Sequence, residues 1–181
     1  MKKIVIIFVL IVVGFVVFQY LERTTDKQTA LEKYQKDMEM PYMKLDAFFN
    51  SADLILAGKD TSNIKKEIKK DLLSTIKAAE NDMAMISSKD EEIQKLHKEF
   101  LDHIKTVHKG LAKAAKGKEN KAKRAVSKQA KAMTNYYNAH KEVLADLNQK
   151  YNVEIGNMPE PTKEPTKYDE YDDYLDNAQG K

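Results

Sequence analysis

His97, His103, His108 and His140 are the residues of this 181-residue chain best suited to hold a metal or to move a proton near neutral pH. No two stand four apart, the spacing that puts two imidazoles on one helix face for a shared ion. His140 falls at an apolar position of a helical repeat, which predicts a core histidine satisfied by a hydrogen bond rather than a ligand to a metal or a haem iron. The chain has no Cys, so thiolate metal sites, a thiol nucleophile and disulfides are excluded. Asp and Glu are numerous but spread over polar faces, with no pair placed for general acid and base work. Neither a Gly-rich phosphate loop nor a strand-to-helix turn carrying a nucleophile is present. The expectation is a non-enzymatic protein with no catalytic residue, metal or cofactor. Met38, Met40, Met43, Met83, Met85 and Met133 recur with Tyr34, Tyr42, Tyr136 and Tyr137 at helical spacing, which is the pattern of packing material.

Charge placement says more. Between Lys105 and Lys131 there are ten basic residues against Glu119 alone, while the rest of the body from Glu22 to Ile155 holds 16 basic and 20 acidic residues. Lys113, Lys116, Lys118, Lys121, Lys123, Arg124 and Lys128 form the candidate binding site for a polyanion or a partner protein. Almost all are Lys, a compact point charge suited to polymer contact without forked recognition of individual groups. The same residues also serve solubility.

These side chains need a scaffold, and its organising stretch is Ile4–Leu21, eighteen residues with Lys2 and Lys3 in front and Glu22, Arg23, Asp26 and Lys27 behind. As a helix it spans ~27 Å, close to the hydrocarbon thickness of a bilayer. The basic flank predicts a cytoplasmic N-terminus and an extracytoplasmic body, so residues 1–21 are expected to be a short stub and a transmembrane signal anchor. A cleaved signal peptide would need small residues at a cut site, and none follows the apolar run. With cleavage the body would be secreted.

Few Gly and Pro, no Trp and a third of the residues charged point to an all-α body in 22–156. Leu31, Tyr34, Met38, Pro41, Leu45, Phe48, Ala52 and Ile55 alternate at three and four, one apolar seam of a long helix bent at Pro41. Similar seams predict helices over about 22–57, 63–86, 89–116 and 120–152, with Ser88 and Glu91 as a capping box, Gly117 as a C-cap and a stop near Gly156. Short connections make neighbours antiparallel, giving an up-down-up-down four-helix bundle behind the transmembrane helix. In shape this resembles the extracytoplasmic four-helix modules of bacterial receptors, without a shared motif and with no second apolar segment after the fourth helix. The tail, 157–181, repeats Glu-Pro-Thr-Lys and ends in acidic residues and tyrosines, so it is expected to be disordered.

The function this predicts is a membrane-anchored binding or scaffold protein of a bacterial cell envelope. Its basic tip would contact an anionic cell-wall polymer or an envelope protein, with nucleic acid disfavoured and a homo-oligomer compatible. The alternative is a ligand-sensing or regulatory accessory whose core around His140 takes up a small molecule and acts through a membrane partner. A wide cavity beside His140 would favour the second reading, a tightly packed seam the first.

Overall fold

The computed structural model describes residues 2–58 and 63–154, with side chains over 23–58, 63–118 and 121–154. Their secondary structure is all helix, joined by short turns, with no strand among them. α1 runs Lys2–Ala57; α2 (Ile64–Glu67), a π-helical turn (Ile68–Leu72) and α3 (Leu73–Ala84) follow without a gap as a second rod; α4 is Glu91–Ala114 and α5 is Glu119–Tyr151. Ile4–Leu21 belongs to α1, but its side chains lie outside the described residues, as does the tail. Among the described residues no helix is long and apolar enough to cross a membrane.

All eight seam positions from Leu31 to Ile55 are buried, Pro41 included. α1 continues through that proline because Met38, Tyr42 and Leu45 hold both sides of it in the core, which outweighs the lost backbone bond. Ile64, Ile68, Leu72 and Ile76 are buried on the second rod at intervals of four. On a regular helix such a run drifts by ~40° per step. The π-helical turn sits inside it, and its wider turn keeps the four side chains on one face. The periodicity predicted a regular helix here and did not anticipate that turn.

Cross-rod contacts set the directions. From one end of α1 to the other, Gln28 meets Tyr151, Tyr34 meets His140, Tyr42 meets Tyr137, and Gly58 meets Lys123, so α1 and α5 run antiparallel. Lys44 pairs with Asp82 on α3, and His108 on α4 with Glu80 on α3. One continuous core fills the space between the four rods.

Helix ends differ from the sequence expectation in three places. The N-cap of α4 is Asp90, whose carboxylate accepts from Glu92 N at 3.0 Å and Ile93 N at 3.1 Å; Ser88 stands two residues earlier and accepts from Asp90 N. Asp supplies a charged acceptor to the positive end of the helix, which Ser does not. Gly117 does not adopt a left-handed conformation, and α4 runs out through Ala115 with helical dihedrals. α5 ends at Tyr151, within a residue of the expected 152 but short of Gly156, because Asn152 turns left-handed (φ 52°) and Val153 N donates to Asn148 O at 2.9 Å.

Candidate functional site

The predicted basic residues gather at one end of the bundle. Lys123 Nζ donates to Gly58 O at 2.7 Å, tying the start of α5 to the end of α1. Lys113, Lys116, Lys118, Lys121, Arg124 and Lys128 are exposed around that contact, while Lys123 is half-buried by it. The second rod begins at the same end and adds exposed Lys66, Lys69 and Lys70 and half-buried Lys65. Among the described residues, Lys113, Lys116, Lys118, Lys121 and Lys128 have no carboxylate at ion-pair distance. The arrangement concentrates positive potential without a nucleophile or a general base, so its chemistry is attraction of anions. From Leu21 to Ala57, α1 covers ~54 Å, which separates this tip from the apolar stretch.

The opposite end is closed by mixed charge. Lys27 Nζ lies 3.2 Å from Asp90 and 3.0 Å from Glu92, Lys150 Nζ lies 3.3 Å from Glu92, and Tyr151 Oη donates to Glu92 at 3.3 Å. Hydrogen bonds from Lys27 are the chief reason the Glu92 carboxyl sits below its usual range. Burial alone would raise Asp90, but the amide of Ile93 and the Lys27 ammonium together hold it below that range. This clasp pins the entry of α1 to the start of α4 and the end of α5. An open pocket of about 700 Å³ beside it is lined by Asp26, Lys27, Lys33, Tyr34, Ser88 and Asp90 among others.

Tyr34 also belongs to a polar ring cluster inside the bundle. His97 Nε2 lies 2.9 Å from Met83 O, a carbonyl that only accepts, so this nitrogen carries the proton. Neutral His97 then accepts at Nδ1 from Tyr34 Oη, 3.2 Å away. Tyr34 Oη in turn accepts from His140 Nε2 at 3.4 Å, which leaves His140 Nδ1 as a bare acceptor. The chain of bonds crosses all four rods, from α3 through α4 and α1 to α5. His140 is 3% exposed, stacks on Phe100 at 4.1 Å and meets the edges of Tyr34 and Tyr42. Burial, helped by His97 nearby, pushes the His140 imidazole down to about 3. His97 is lowered by burial too, partly offset by its bond to Met83. Burial raises Tyr34, Tyr42 and Tyr137 above the ordinary phenol range.

His140 therefore lies in a packed seam, as its position in the repeat predicted. The sequence reading missed His97, which is buried beside it, and Lys141, which is 3% exposed with its ammonium 4.4 Å from the Tyr137 ring centroid. A signal for His97 exists: it follows Leu96 and precedes Phe100 by three, at the edge of the α4 seam. His103 stacks on Tyr136 at 3.8 Å, and His108 Nδ1 lies 2.6 Å from Glu80. No group of three or more His, Asp or Glu is placed to hold a metal among the described residues. Compared with known proteins, the chain matches no family model, no curated protein and no solved structure.

Proposed function

We propose that this chain is a membrane-anchored, extracytoplasmic scaffold or binding protein of a bacterial cell envelope, and that its basic tip holds an anionic polymer by non-specific charge contact. The observation that carries the reading is the convergence of lysines from the second rod and from the α4–α5 turn at the end remote from Ile4–Leu21. If that stretch spans the bilayer, the tip stands away from the chain's own lipids and is presented outward. The close ring packing around His140 supports a scaffold over a receptor for a sizeable small molecule.

The test is binding of the full chain in non-ionic detergent to a phosphate-rich polymer as salt is raised. A comparison chain carries Lys113, Lys116, Lys118, Lys121, Arg124 and Lys128 changed to Gln. Lys123 is left in place because it anchors Gly58. Affinity should fall steeply with salt and drop at least tenfold in the Gln variant, since each neutralised phosphate contributes its own counterion release. Equal binding by both chains leaves the lysines a solubility role only.

A further inference from the structure

Four buried side-chain polar atoms lack a partner among the described residues, and three of them, Tyr42 Oη, Tyr137 Oη and His140 Nδ1, belong to the ring cluster. The three side chains are 4%, 6% and 3% exposed. Their rings are neighbours: Tyr42 lies 5.3 Å from Tyr137 and 6.2 Å from His140 between centroids. Folded proteins rarely leave one buried polar group unpaired, and three on neighbouring rings call for something that bonds to them. The chemistry of that something follows from the hydrogen-bond order already derived. His140 Nδ1 can only accept, so the guest must donate; the two phenolic hydroxyls can donate to it or accept from it. All three groups are themselves uncharged, and the Lys141 ammonium over the Tyr137 ring disfavours a cation, so a neutral guest suits them. Rings packed this closely admit only a very small guest.

We propose that the bundle contains an internal site for a small neutral molecule that both donates and accepts hydrogen bonds, occupied by water, bridging His140 Nδ1 to the hydroxyls of Tyr42 and Tyr137. The bridge extends the Met83–His97–Tyr34–His140 chain and completes a polar layer through the core. Such a layer stabilises one alignment of the four rods, because any axial slip of a rod separates its polar groups from their partners.

Oxygen-17 relaxation dispersion of solvent water, measured on the full chain in detergent micelles, reports long-lived internal water without interference from exchanging hydroxyl protons. The unsubstituted chain should show a long-residence component that is lost in the Tyr42→Phe, Tyr137→Phe double variant. Thermal midpoints supply a second readout of opposite sign for the two cases. Removing a hydroxyl that lacks a partner raises the midpoint, whereas removing one that is bridged lowers it. A lowered midpoint in at least one single variant, with loss of the water component, is the expected result. An unchanged water component, or midpoints that stay or rise in both single variants, overturns the proposal. Should the double variant fail to fold, His140→Phe takes its place in the relaxation comparison.

Discussion

An imidazolium at position 140 would face Tyr34 and Tyr42 from α1 and His97 and Phe100 from α4, with no anion among them. Burial, with no anion to offset it, pushes the native imidazole down to about 3, while the unfolded chain takes its proton near the ordinary 6.5. Between those values the unfolded state binds a proton that the native state refuses, so stability falls as pH drops below 6.5. The slope approaches about 1.4 kcal/mol per pH unit, and His97 shifts in the same direction. Urea midpoints at pH 7 and pH 5 should therefore show a loss of about 2 kcal/mol from His140 alone. His140→Phe should flatten that loss, and an identical pH slope in the two chains would reject the assignment.

Gly110 sits inside α4, four residues before its end, where glycine costs about 1 kcal/mol relative to Ala. Its reason lies on the neighbouring helix. A Cβ added there would stand 2.4 Å from the Gln129 side chain of α5, so the missing methyl is what lets that amide lie across α4. The obstructing atoms are the end of a flexible side chain, which can swing out. Gly110→Ala in a Gln129→Ala background should raise stability by up to about 1 kcal/mol, and Gly110→Ala alone should gain less. Equal gains in both backgrounds, read from denaturant midpoints, would show that Gln129 does not constrain the site.

As a whole, the molecule is one long helix with three rods laid back along its outer part, and the proposed topology gives it a direction. Protease added to intact cells should digest the bundle while the N-terminus stays protected; a fully protected bundle would place it on the other side of the membrane. Much of this was legible from the chain alone, because seam spacing is a local property. Leu31 to Ile55 had to share a face, and ten basic residues between Lys105 and Lys131 had to make one region positive. The absence of Cys settled which chemistries were out of reach. Other features were not readable from local spacing, because the groups that cause them are far apart in sequence. Tyr34 meets His97 and His140 across 63 and 106 positions, and Lys123 finds Gly58 across 65. The π-helical turn answers to the need to keep Ile64 through Ile76 facing the core. Asp90 rather than Ser88 caps α4, and its carboxylate also lies 3.2 Å from Lys27, a partner 63 residues earlier. Sequence by itself determined the helices, their buried faces and the place of the charge. Only packing four rods together decided which polar groups would be enclosed, because burial and hydrogen-bond partnership are properties of surfaces that meet, not of residues in a row.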